Sequence, residues 1–185
     1  GGVKVIEQFT SHYGSSCPPA DKLLNEIAVQ DDVIALGCHV DYWDHLHWKD
    51  IYSQAFCTSR QRVYDAVLDE GVYTPQIVIN GKKGMVGSRT SSVRKAIDKA
   101  TTVPILPLKL DGNTLVIDSN VLIGRGHIGL SIFGYGKTEN QKIGSGENKG
   151  RNVTYANPVN MLVNIEYDGA TDSVTYDLSN QTAGY

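Results

Sequence analysis

A mixed α/β fold is predicted by three observations. Apolar spacing alternates between strand-like and helix-like over the first hundred residues, the chain opens strand–helix–strand, and helical patterning stops at Val103. The chain has 185 residues, 41% apolar and 20% charged, enough to bury a core without a metal or disulfide to hold it. Lys plus Arg is 17 and Asp plus Glu is 20, a net charge of −3. With a pI near 5.9, nothing in the charge balance points to nucleic acid or an anionic membrane surface.

Residues 3–9 read as a strand and residues 17–28 as a helix with Leu23, Leu24, Ile27 and Ala28 on one face. Pro18 and Pro19 suit its first turn, and Asp21 suits its positive end. Residues 33–39 form a short continuous apolar run, the pattern of a strand covered on both faces. A polar and aromatic loop, 41–55, leads to a helix over 58–68 that stops before Gly71. Residues 76–79 and 85–86 flank the hairpin turn Asn80-Gly81, and 91–100 read as a last helix. The order is β-α-β-α-β-β-α, with a parallel start and an antiparallel edge.

Beyond residue 102, Gly, Asn and alternating strands take over. Segments 108–110 and 114–117 flank Asp111-Gly112-Asn113, 128–133 is a strand, and 162–167 and 173–178 flank Asp168-Gly169. Five glycines between 134 and 151 predict a long loop or loose hairpin. The division is therefore 1–102 and 103–185, the second an all-β unit of four or five strands packed on the first.

Site chemistry is expected between residues 12 and 57, which hold all three cysteines (Cys17, Cys38, Cys57), Trp43 and Trp48, and four of five histidines. A strand ending at Phe9, the small-residue loop Gly14-Ser15-Ser16, and Cys17 opening a helix make the layout of thiol redox sites, where the helix terminus favours a thiolate. The dithiol version needs C-x-x-C, and here the first position is Gly14. Thr74-Pro75 directly before a strand completes a thioredoxin layout, in which that bond is cis and faces the cysteine.

Phe9-Thr10-Ser11, Ser15-Ser16-Cys17-Pro18-Pro19-Ala20-Asp21, His39-Val40-Asp41-Tyr42-Trp43-Asp44, Trp48-Lys49-Asp50, Arg60-Gln61-Arg62, the segment 71–76 and Gly146-Glu147-Asn148 with Gly150-Arg151 resemble a family of secreted bacterial thioredoxin-like proteins classed as a domain of unknown function. The resemblance spans residues 3–165. It implies a thioredoxin-like three-layer α/β/α domain with a β-rich C-terminal extension, and a periplasmic or secreted mature chain. It implies no reaction. The family usually carries Cys where this chain has Gly14.

The leading expectation is thiol-dependent redox or thiol capture through Cys17, with Pro75 presenting a partner's backbone and His39 and Asp41 tuning the site. Gly14, Ser15, Ser16, Trp43, Trp48 and Thr74 would form the binding surface. Partners would be a thiol or disulfide protein or a small thiol, with no nucleic acid, no transmembrane segment and no cofactor. The alternative is a non-catalytic module binding a peptide, a metal or an envelope component. Cys38 is favoured as a buried apolar residue, although the spacing allows Cys17–Cys38, Cys17–Cys57 and Cys38–Cys57 bonds alike. His39, Asp41, His45 and His47 are weak metal candidates, outweighed by a structural loop in which Asp41 and Asp44 cap backbone. Glu147 and Arg151 are read as an ion pair pinning their loop. No signal-like segment precedes Gly1, so any leader is expected to have been removed or never present.

Overall fold

The computed structural model describes residues 2–46, 49–118, 120–170 and 173–179. Strand β1 (Gly2–Thr10) runs parallel to β2 (Val33–His39), with α1 (Cys17–Ala28) as the crossover between them. β3 (Gln76–Ile79) lies antiparallel on the other side of β1, and β4 (Lys83–Val86) pairs with β3. The sheet order is β2-β1-β3-β4, and β5 (Val103–Pro104) pairs with the beginning of β1. Helices α2 (Ala55–Leu68) and α3 (Thr90–Lys99) complete the first hundred residues.

Period-two alternation of apolar residues supplies a core on each side of this sheet. Ile6, Ala35, Ile77 and Ile79 pack with Leu23, Leu24 and Ile27 of α1 and Val93 and Ile97 of α3. Phe9, Leu36, Cys38 and Val78 face the other way and pack with Cys57 of α2. Helix α2 begins three residues earlier than the apolar spacing suggests. Thr58, the expected opening residue, lies in its first turn and holds Asp41 instead.

Beyond Pro104 the described residues form seven strands, more than the four or five expected. β6 (Leu108–Asp111), β7 (Thr114–Asp118) and β12 (Ser173–Asp177) make one sheet in the order β12-β7-β6. β8 (Ile128–Tyr135) pairs with β11 (Val159–Tyr167). β9 (Glu139–Lys142) pairs with β10 (Asn152–Tyr155) across the glycine-rich segment, which is thus a loose hairpin. Glu-Asn-Gln-Lys in β9 has no apolar alternation, so only its pairing with β10 makes it a strand. The turn at Asp168-Gly169 passes the chain from one sheet to another, because β11 pairs with β8 and β12 with β7.

The outer edge of β2 is covered by the segment leading into β11. Gly37 donates its N–H to the Asn157 carbonyl (3.1 Å), and Asn157 Nδ2 donates to the Ala35 carbonyl (3.0 Å). A Cβ on Gly37 would lie 2.8 Å from the Ala156 oxygen, so this close approach requires glycine. Asn25 of α1 adds a bond to the Thr154 carbonyl at 2.9 Å. No helix of the described residues is long and apolar enough to cross a membrane.

Cys38 and Cys57 are joined in a disulfide that ties β2 to α2 across 19 residues of sequence. The expectation of Cys38 as a plain apolar residue is corrected: it is the penultimate residue of β2 and faces the first turn of α2, a proximity that sequence spacing does not encode. Replacing both cysteines by alanine is expected to lower stability by about 3 kcal/mol, through the lost constraint on a loop of that length. Denaturant unfolding under non-reducing conditions measures it, and an unchanged midpoint and slope would refute the contribution.

Candidate functional site

The parallel pair β1 and β2 ends on one side of the sheet, with Thr10 in register with His39. β3 is antiparallel to both and starts on that side, preceded by a cis Thr74–Pro75 bond. From Thr10 the chain turns through residues 11–16 into α1, and the Cys17 N–H closes the turn on the Gly14 carbonyl (3.1 Å). This topology gathers Cys17, Thr74, Pro75 and His39, four of the residues singled out from sequence. Gly87 permits the close approach: a Cβ there would sit 3.2 Å from both the Ala20 Cβ and the Pro75 Cβ.

Cys17 is a free thiol and wholly buried. Burial pushes it up to about 12, the charge of Asp21 adds to this, and contacts with Thr10, Ser11 and Thr74 oppose it only in part. The thiol therefore rests protonated, contrary to the thiolate expected at a helix start. Gly14 stands directly in front of it, since a Cβ on Gly14 would lie 3.1 Å from Cys17 Sγ. Ser15 and Ser16 are exposed.

Asp21, one helical turn past Cys17, is buried and accepts hydrogen bonds at Oδ1 from Gln8 Nε2 (2.6 Å) and Thr10 Oγ1 (2.9 Å). Its Oδ2 has no hydrogen-bond partner. Burial raises its pKa to about 7, against the opposing pull of His39 and the two hydrogen bonds. Beside it, His39 Nδ1 lies 2.8 Å from Asp50 Oδ2, a pair almost without solvent contact. Burial works against the His39 charge, but the charge and hydrogen bond of Asp50, followed by Asp21 and Asp44, raise its pKa. Burial likewise works against the Asp50 carboxylate, yet His39 and then His12 hold its pKa below the usual range.

His12 completes this cluster. Its Nε2 is 3.2 Å from Asp50 Oδ1 without hydrogen-bond alignment, and neither ring nitrogen has a hydrogen-bond partner. Burial pulls its pKa down to about 4, outweighing Asp50, so the ring is neutral. It stacks on Tyr155 with ring centroids 5.0 Å apart, and Tyr52 stands 6.0 Å away edge-on.

Other expected residues have supporting roles. Asp41 accepts the Thr58 hydroxyl (2.6 Å), and its N–H donates back to Thr58 Oγ1 (3.0 Å), so it anchors the first turn of α2. Trp43 donates from Nε1 to Thr74 Oγ1 (3.1 Å) and thereby braces the proline turn. Asp44 accepts the Asp50 N–H (3.3 Å) and the Ser53 hydroxyl (2.6 Å), the capping role the structural reading gave it. His45 is exposed, while His47 and Trp48 lie outside the described residues. Among the described residues of the weak metal set, only His39 enters a cluster of metal-ligating groups, and it does so with His12 and Asp50.

The β-rich part reaches this site. Glu147 Oε2 accepts the Ser15 N–H (2.9 Å), and the buried Asn148 donates from Nδ2 to the carbonyls of His12 (2.9 Å) and Gly14 (2.7 Å). Arg151 contacts Asn148 Oδ1 at 3.4 Å and makes no ion pair with Glu147 among the described residues. Sequence reasoning missed His12, Asp21, Asp50 and Asn148 as site residues. Three of the four, Asp21, Asp50 and Asn148, lie in the motif blocks that carry the family resemblance, and His12 directly follows one of them.

A family described as "Protein of unknown function (DUF1223)" matches residues 5–184. The crystal structure of a protein of Agrobacterium tumefaciens is similar at 27% identity, covering 97% of this chain and 80% of that one, with a TM-score of 0.76. HBP35 of Porphyromonas gingivalis is similar in fold alone, at 14% identity and a TM-score of 0.58 over 97% of this chain and 65% of that one. No curated protein matches the sequence.

Proposed function

Because the chain belongs to DUF1223, a family whose description carries no activity, we propose from the site itself that it is a thioredoxin-like extracytoplasmic protein whose single thiol, Cys17, captures a sulfur partner as a mixed disulfide. The thioredoxin-like reading is supported by the β-α-β-α-β-β-α order, cores on both faces of the first sheet, and the cis Thr74–Pro75 bond beside a helix that opens with cysteine. The Cys38–Cys57 disulfide supports an oxidising compartment.

The observation that carries the proposal is the 3.1 Å between the Gly14 Cβ position and Cys17 Sγ. A Cβ and the far sulfur across a disulfide are about 3 Å apart, so a sulfur-bearing group in front of Gly14 is placed to bond Cys17. In the step, the Sγ proton passes to hydroxide from solvent and the thiolate attacks one sulfur of a low-molecular-weight disulfide. The S–S bond breaks, one half stays on Cys17 as a mixed disulfide, and the other leaves as a thiolate.

Incubation with glutathione disulfide and mass mapping tests this. One adduct on Cys17 is expected. Because the thiol sits about 12 rather than 9.0, its thiolate fraction at neutral pH is roughly 10³-fold smaller than that of an unperturbed thiol, and the adduct should form more slowly and speed up about tenfold per pH unit from 7 to 10. Gly14→Cys is expected to close a bond to Cys17 on air oxidation, leaving no titratable thiol in the native protein. Absence of an adduct at pH 9 together with two free thiols in Gly14→Cys would sink the proposal. That outcome would favour a second reading suggested by the full burial of Cys17: a binding module whose partner lies across Pro75 without sulfur chemistry.

A further inference from the structure

We infer that His12, His39 and Asp50 form a binding site for one divalent transition-metal ion of the zinc class, separate from the thiol chemistry of Cys17. Three chain segments contribute: the turn after β1, the last residue of β2, and the loop before α2. All three side chains are buried, and their donor atoms lie within 4.8 Å of one another. Two imidazoles and one carboxylate are a common donor set for such ions and leave a coordination position for an outside ligand.

Each imidazole stands at about ion-bridging distance from a different oxygen of Asp50, so the carboxylate would face the ion with both oxygens. With metal–ligand bonds of about 2.0–2.2 Å, neighbouring donors in a tetrahedron stand about 3.3 Å apart. His12 Nε2 is 3.2 Å from Asp50 Oδ1, already at that spacing. His39 Nδ1 is 2.8 Å from Asp50 Oδ2, and the pair need open by only about half an ångström as the ion replaces the shared proton. The carboxylate is held from behind, since Oδ2 accepts the His12 N–H (3.1 Å) and Oδ1 the Tyr52 N–H (2.9 Å). Outer bonds of this kind fix the direction of a ligand.

His12 is the observation that separates a metal site from a structural His–Asp pair. His39 alone satisfies the needs of a buried Asp50. A second imidazole, buried with both nitrogens unbonded, costs stability that an apolar ring on Tyr155 would not. A ligand role gives that ring a partner.

The test uses the whole chain stripped with a chelator. Zinc titration followed by thermal unfolding, and cobalt titration followed by visible absorption, are expected to saturate at one equivalent, with ligand-field bands and no strong thiolate-to-metal band. Cys17→Ser is expected to respond as the native chain does, which separates this site from the proposed thiol function. His12→Phe keeps the ring packed on Tyr155, so the metal-free protein is expected to unfold at or above the native temperature while zinc affinity drops at least tenfold. No binding by the native chain, or equal binding by His12→Phe, overturns the inference.

Discussion

Replacing Asp21 by asparagine is expected to make the protein more stable at pH 8 by as much as about 4 kcal/mol, while changing it little at pH 4. The buried carboxyl holds its proton up to about pH 7, whereas in the unfolded chain it releases it near 3.8. A folded pKa raised above the unfolded one means that stability is fully present below 3.8 and is lost as pH rises to about 7. The span of 7 − 3.8 = 3.2 units corresponds to about 4 kcal/mol at 1.36 kcal/mol per unit. Asparagine keeps an oxygen for Gln8 Nε2 and Thr10 Oγ1 and has no charge to bury. The gain is trimmed because the His39 charge loses one of its carboxylate neighbours. Urea midpoints of both proteins at pH 4 and pH 8 decide the matter, and curves that fall in parallel would show that Asp21 ionises normally.

Asp50→Ala is expected to act in the opposite direction, costing about 3–5 kcal/mol. The carboxylate is the acceptor for His39 Nδ1 and for the His12 and Tyr52 N–H groups, all within buried surroundings. Its removal leaves a buried imidazolium without its main counter-charge and two amide donors without their acceptor. Denaturant unfolding at pH 6 measures the loss. A cost under about 1 kcal/mol would mean that the cluster is solvated or rearranges freely.

The first hundred residues were legible because their elements are carried by local periodicity. The continuous run 33–39 gave β2, and the face of Leu23, Leu24 and Ile27 gave α1. Cys17 at the start of α1 and the cis bond at Thr74–Pro75 followed from the order of elements. The disulfide was not legible, because Cys38 and Cys57 meet only when α2 crosses the face of the sheet. Nor was the change in Cys17 from activated to protonated. A helix terminus argues one way from sequence, and complete burial beside a carboxyl at Asp21 decides it the other way. His12 and Asp50 drew no individual role and Asp21 was read only as suiting the positive end of α1, since a polar side chain signals burial only through partners far away in sequence. β9 was invisible for the complementary reason: it has no apolar face.

The Asn148 clamp makes access to Cys17 a matter of thermodynamic linkage. Three hydrogen bonds join residues 147 and 148 to the backbone of residues 12, 14 and 15. At about 1 kcal/mol each, they favour the closed turn over an open one by a factor of about 10². A molecule that holds the turn open must loosen the 146–151 segment by the same free energy, and a molecule that grips that segment must close the turn to the same degree. Loosening of the 146–151 segment would therefore make the turn in front of the thiol easier to open, and a molecule bound to the thiol behind an open turn would loosen that segment in return.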